Sequence, residues 1–142
     1  MAGKSDLDGL RAAIRGAALR ATPSRIATLR TLRAAAVPLS HGEVSQQMAD
    51  LAFDHATVYR NLIDFVEAGL ATRNDVGDHT WRFAASGGKH ASDAHPHFVC
   101  TSCGGIECLP GLEVVMSRAK APRSVRQQKI EVHVRGLCDA CT

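Results

Sequence analysis

Two Cys-x-x-Cys pairs constrain this chain more than any other feature. Cys100-Thr101-Ser102-Cys103 and Cys138-Asp139-Ala140-Cys141 each supply two thiolates from one tight turn. Together they make a closed tetrahedral four-sulfur site. That geometry and softness suit Zn²⁺ and leave no open position for catalysis. The 34 residues between the pairs (104–137) exceed the spacing of a zinc ribbon. Such a site would staple a small αβ unit, and Gly104-Gly105 supplies the tight backbone that a knuckle needs. A thioredoxin-like redox role would need one pair and a different setting. All five cysteines, Cys108 included, lie in the last third of the 142 residues. The N-terminal ten residues lack a signal peptide's apolar stretch, and no apolar run approaches the roughly 20 residues that span a bilayer. The expectation is a cytoplasmic protein, without membrane partners, whose thiols serve metal chemistry rather than disulfides.

The cysteine-free part reads as helices followed by a hairpin. Leu10, Ile14, Ala17 and Ala18 recur at helical spacing, and Thr22-Pro23 breaks that helix and opens the next, which carries Ile26, Leu29 and Leu32. Ser40-His41-Gly42-Glu43 has the form of a capping box. The short helix after it has Val44, Met48 and Leu51 as its apolar side. Asp54 is placed to cap a fourth helix, His55–Ala68, with Val58, Leu62, Phe65 and Val66 as its buried stripe and Gly69 as its C′ glycine. Extended runs at 70–73 and 79–83 flank a polar turn. This is the order of a winged helix-turn-helix, although a purely structural bundle has the same elements. Net charge is only +3. Lys4, Arg11, Arg15, Arg20, Arg25, Arg30 and Arg33 nevertheless concentrate in the first 33 residues against Asp6 and Asp8. That concentration, with Tyr59-Arg60-Asn61 on the exposed side of the fourth helix, points to double-stranded DNA.

Residues 85–94 are small and polar and read as a linker. Beyond it, strands are expected at 97–100 and 106–109, a helix at 112–120 and a strand at 125–134. The division is thus 1–84, 85–94 and 95–142. A second candidate metal cluster lies here. His95 and His97, at i and i+2 on a strand, point to one face. Cys108 sits on the neighbouring strand, His90 in the linker, and Asp75 and His79 on the hairpin. A site drawing on both halves would fix their relative orientation, which is what a metal-dependent switch requires.

The chain resembles the ferric uptake regulator family of bacterial metal-sensing repressors. The matching text is Ala56-Thr57-Val58-Tyr59-Arg60-Asn61-Leu62, Ala68-Gly69-Leu70, His95-x-His97-Phe98-Val99-Cys100-x-x-Cys103-Gly104 and Gly136-Leu137-Cys138-x-x-Cys141. The segment from Leu19 to Arg25 is similar to the family's N-terminal segment as well. The resemblance implies an α+β chain: an N-terminal winged helix-turn-helix DNA-binding domain, then a small αβ dimerisation domain with a four-cysteine zinc site. It implies a homodimer that binds a palindromic, A/T-rich operator when metallated. By position, Cys100, Cys103, Cys138 and Cys141 match structural zinc ligands, and His95 and His97 match ligands of a regulatory site. Thr57, Tyr59, Arg60 and Asn61 fall on the recognition helix, and Arg20 matches a basic residue in or near the minor groove.

The departures concern the regulatory site. A family histidine before the third helix aligns with Pro38, with His41 three residues later. A frequent ligand at the end of the second wing strand aligns with Ala84, and a glutamate ligand with Cys108. An additional family metal site is not expected here, since its positions fall on Ala94, Pro96, Val115 and Ile130. Two imidazoles and one thiolate are softer than a carboxylate-rich set and favour Zn²⁺ over Fe²⁺ or Mn²⁺. The expected regulatory ligands are therefore His95, His97 and Cys108, with Asp75, His79 and His90 as further candidates. The expected function is metal-responsive repression, with the zinc-uptake subtype first. An iron- or peroxide-responsive regulator, a thiol-redox regulator using Cys108 and a constitutive DNA binder stay open. A zinc hydrolase is disfavoured, because no open zinc site with an adjacent base and no catalytic motif is present. No small-molecule substrate is expected.

Overall fold

The ends of the first helices are set by local side-chain chemistry. Helix α1 (Lys4–Gly16) buries Leu10 and Ile14. In α2 (Pro23–Ala34), Thr22 is the N-cap: its hydroxyl accepts from the Arg25 N–H at 3.3 Å, and Pro23 occupies the first helical position. Strand β1 (Leu39–Ser40) leads into α3 (His41–Gln47) through a complete capping box. Ser40 accepts from the Glu43 N–H, and Glu43 reaches back to the Ser40 N–H at 2.9 Å. A 3₁₀ turn over Ala49–Leu51 follows. This turn corrects one expectation. Val44 and Met48 are buried, but Leu51 lies beyond α3 and is 54% exposed.

Helix α4 (His55–Glu67) buries Val58, Asn61, Leu62 and Phe65. Asp54 occupies the N-cap position, yet its side chain makes no capping bond. The C-terminal end follows the expected chemistry: Gly69 adopts φ +79°, and the Leu70 N–H closes onto the Phe65 carbonyl at 2.8 Å. Strands β2 (Ala71–Asp75) and β3 (Trp81–Ala85) pair antiparallel, and β1 adds to the other edge of β3. Buried Phe83 and Ala85 of that central strand pack with α1, α2, α3 and α4 residues around Leu29, Leu62 and Phe65.

The described residues are 3–75, 79–86, 96–113, 115, 121–126 and 132–142. In this computed structural model the chain divides into two compact units, Met1–Ser92 and Asp93–Thr142. Ala85, expected in the linker, is instead the last residue of β3, paired with Ala71 and buried. Among the described residues no helix is long and apolar enough to cross a membrane.

The second unit contains β4 (His97–Cys100), β5 (Ile106–Cys108), α5 (Arg123–Arg126) and β6 (His133–Gly136). Strand β4 is central, antiparallel to β5 and parallel to β6. Two expectations fail here. Leu112 and Glu113 are not helical, and the remainder of that expected helix, 114 and 116–120, lies outside the described residues. Val125 is not in a strand: the Pro122 carbonyl receives the Val125 and Arg126 N–H groups and starts the short α5. Residues 127–131 of that expected strand also lie outside the described residues.

Candidate metal centre and nucleic-acid interface

The β4–β6 pairing draws the two Cys-x-x-Cys turns together. Cys100 is the last residue of β4 and sits opposite Gly136, two residues before Cys138. The Thr101 N–H extends the ladder to the Gly136 carbonyl at 2.8 Å. Each turn then folds back on itself: the Gly104 N–H bonds the Cys100 carbonyl, and the Cys141 N–H bonds the Cys138 carbonyl. Gly104 has φ +72°, a conformation that a Cβ would strain. The four Sγ atoms lie within 4.8 Å of one another, the only such group of three or more candidate ligands among the described residues.

The edge between the turns, Cys103 Sγ to Cys138 Sγ, is 3.8 Å. A tetrahedron with metal–sulfur bonds of about 2.3 Å has edges of about 3.8 Å. The donor set therefore fits Zn²⁺. Backbone N–H groups of Cys103, Cys138 and Ser102 point at Cys100 Sγ at 3.4–3.5 Å. They lower the Cys100 thiol to about 6, because they stabilise the thiolate. Cys141 is pushed up to about 12, first by its hydrogen bond with the Cys138 thiol. Together the four sulfurs could hold a metal ion.

The other candidate ligands are described unit by unit. His97 and Cys108 are directly paired across β4 and β5. Asp75 and His79 meet in the first unit, where the His79 N–H donates to the Asp75 carboxylate at 3.2 Å and closes the hairpin turn. His90 and His95 lie outside the described residues. Pro38 and Ala84, at positions where the family resemblance would put ligands, are buried and apolar. His41 is committed to α4: its Nε2 donates to the His55 carbonyl at 2.8 Å, and its ring packs edge-on to Tyr59.

On the nucleic-acid side, α4 presents Tyr59, 45% exposed, and Arg60 to solvent, with Thr57 half-buried beside them. Asn61 does not share that face and is corrected here. It is 5% exposed, and its Nδ2 donates to Ser24 Oγ at 3.2 Å and Thr28 Oγ1 at 3.4 Å. The helical repeat carries residue 61 toward α2, away from base edges. The basic N-terminal stretch is also partly neutralised. Arg11 pairs with Asp8 and Arg30 with Asp6, both at the surface. Arg25 is spent inside the unit: one nitrogen donates to the Arg20 carbonyl at 3.0 Å and the other to Asp64 at 2.7 Å. Arg15, Arg20 and Arg33 remain exposed.

Sequence reasoning missed this clamp, in which one guanidinium fixes the Arg20 segment against α4. Nothing local marks a partner 39 residues away. It also missed Arg73 stacked on exposed Trp81, with the guanidinium carbon 4.2 Å from the ring centre. Those two lie diagonally across the hairpin, a relation visible once β2 and β3 are in register.

Residues 16–134 match the model of the ferric uptake regulator family. The ferric uptake regulation protein of Legionella pneumophila is 37% identical over 90 residues, 61% of this chain and 62% of that protein. The peroxide operon regulator of Bacillus subtilis is 32% identical over 89 residues, 61% of this chain and 58% of that protein. The matched stretch thus spans about three fifths of those relatives' length. Among solved structures, the Vibrio cholerae ferric uptake regulator superposes with a TM-score of 0.67 at 24% identity, covering 90% of this chain and 98% of that one.

Proposed function

The chain belongs to the ferric uptake regulator family, and on that premise we propose that it is a homodimeric, metal-responsive repressor of transcription, a regulator rather than an enzyme. The observation that carries the reading is the pairing, in one chain, of a winged helix-turn-helix with an exposed Tyr59-Arg60 face and a sheet ending in four convergent thiols. Arg60 and Tyr59 would read base edges in the major groove of a palindromic, A/T-rich operator, with Thr57 beside them and Arg20 toward the minor groove. Arg25 ties the Arg20 carbonyl to Asp64 of α4, which would link the two proposed contact regions.

Cys100, Cys103, Cys138 and Cys141 would hold a structural Zn²⁺, which supplies the positive charge that keeps four thiolates together. His95, His97 and Cys108 would hold the regulatory cation. A donor set of two imidazoles and a thiolate favours Zn²⁺ over Fe²⁺ or Mn²⁺. Asp75, His79 and His90 are further candidate donors, and the protein would act in the cytoplasm.

Zinc stoichiometry per protomer, followed with DNA affinity in the same samples, tests this reading. Two zincs, the weaker one accompanied by a steep gain in affinity and both effects lost in His97→Ala, are expected. A second reading is favoured by Pro38 and Ala84, which offer no donor atoms: the protein binds DNA constitutively. One tight zinc and metal-independent DNA binding would establish it and end the metal-sensing reading.

A further inference from the structure

The exposed face of α4 is braced from outside the helix. His41 is the first residue of α3, directly after the Ser40–Glu43 capping box, and its ring lies against two side chains of α4. The centres of the His41 and Tyr59 rings are 5.3 Å apart with the planes at 61°, and those of His41 and His55 are 5.9 Å apart at 82°. Both are edge-on contacts within the range that aromatic pairs prefer. His55 and Tyr59 are four residues apart and so stand on one side of the helix. The His41 ring is also pinned at its tip, where Nε2 donates to the His55 carbonyl at 2.8 Å. That carbonyl is the one to which the α-helical ladder assigns the residue-59 N–H. His41 therefore meets Tyr59 at the ring and touches the first turn of the helix that carries it.

We propose that His41 is a positioning residue for sequence recognition: it fixes the Tyr59 ring in the orientation that meets base edges. This rests on the reading of Tyr59 as a base contact and specifies what aims it. Tyr59 is 45% exposed. A long helical side chain has two common χ1 orientations, and one that swings between them loses that freedom on binding. A ring already held edge-on by a neighbour has lost part of it before DNA arrives, so more of the contact appears as affinity.

The brace has a fixed origin. The reciprocal Ser40–Glu43 bonds set the backbone at the start of α3, and Ser40 is itself paired with Arg82 of β3. The restraint thus runs from the three-stranded sheet, through the cap and the His41 ring, to α4. Its loss has a distinctive signature. Base contacts carry sequence information, whereas phosphate contacts do not. A misaimed Tyr59 therefore costs discrimination between duplexes and leaves general DNA affinity, served by exposed Arg15, Arg20 and Arg33, in place. A contact that only stabilised α3 against α4 would affect all duplexes alike.

The test uses the full-length protein with zinc in excess. The probes are an A/T-rich palindromic duplex, selected from a random pool by the wild type, and a scrambled duplex of the same composition. His41→Ala is expected to weaken binding of the selected duplex about 3- to 10-fold, as the loss of one aromatic pair would, and to leave the scrambled duplex unchanged. In a Tyr59→Ala background the same substitution is expected to have no further effect, because the two residues act as one. His41→Phe keeps a ring beside Tyr59 and is expected to bind within about twofold of wild type. The proposal is overturned if His41→Ala binds the selected duplex as wild type does, or weakens both duplexes equally. It is also overturned if the loss persists undiminished in the Tyr59→Ala background, or if His41→Phe is as weak as His41→Ala. In each of those cases a Tyr59→Ala variant that loses the selected duplex leaves the base-contact reading standing. If Tyr59→Ala binds that duplex as wild type does, or if the wild type selects no duplex, both fall.

Discussion

The two units of this chain are held together by different physics. Among the described residues, seventeen buried apolar residues, from Leu10 to Ala85, belong to the first unit and only Val99 and Cys100 to the second. The first is an ordinary hydrophobic core of four helices and a three-stranded sheet. The second has a short sheet, all five cysteines and, among its described residues, little buried apolar surface. A unit of some 50 residues rarely buries enough surface to be stable alone, and small units of this kind lean on metals or oligomerisation. The sequence places its chemistry accordingly, with thiols where packing is thin and leucines where it is not.

The sharpest way to break this comparison is to remove one thiol. Cys138→Ser is expected to release the zinc and unfold the second unit, because structural zinc contributes about 10–16 kcal/mol to small domains at neutral pH. The first unit should keep its helical circular dichroism. Limited proteolysis and metal analysis of the variant check both halves of the claim, and a folded, zinc-free second unit would refute it. The reciprocal variant is Leu62→Ala, at a fully buried position. It is expected to destabilise the first unit by about 2–5 kcal/mol through a cavity. Chemical denaturation should register that loss while zinc content stays constant.

Smaller effects sharpen the picture within the first unit. Arg60→Ala should weaken operator binding by about 1–3 kcal/mol with no change in melting. Asn61→Ala should do the reverse: it removes the amide donor to the half-buried Ser24 and buried Thr28 hydroxyls, which costs about 1–2 kcal/mol of stability. Fluorescence anisotropy and thermal melts of both variants separate a reading residue from a packing residue. If Asn61→Ala loses affinity at unchanged stability, its assignment to packing is wrong. The smallest pair concerns helix caps. Ser40→Ala should cost about 1 kcal/mol, whereas Asp54→Ala should cost close to nothing, since only Ser40 makes its capping bond. Equal losses in urea titrations would show that the Asp54 cap forms in solution.

Much of the first unit was legible in the chain. The Ser40–Glu43 box, Pro23 after Thr22, and Gly69 after α4 are messages confined to three or four residues, and each sits where the sequence placed it. Leu51 misled because its helical spacing continues past the point where α3 tightens into a 3₁₀ turn. Val125 misled because apolar alternation near it was stronger than the turn signal of Pro122. Strand β1 was illegible for a plainer reason: two residues carry no periodicity, and only pairing with Phe83 and Arg82 makes them a strand.

What the sequence determined by itself was the inventory of local chemistry: two thiolate turns, the capped helices, and the apolar stripe of Val58, Leu62 and Phe65 on one helix. These follow from spacing, because two ligands within one turn, or side chains three apart on a helix, are neighbours in any fold that forms them. What only the tertiary structure decided was which distant groups meet. Asn61 turned inward to Ser24 and Thr28, Arg25 was taken by Asp64, and Cys108, His97 and His133 were aligned in one row. Each depends on helix rotation or strand register. A register shift of one residue sends every side chain of a strand to the opposite face, so such meetings are set by long-range packing.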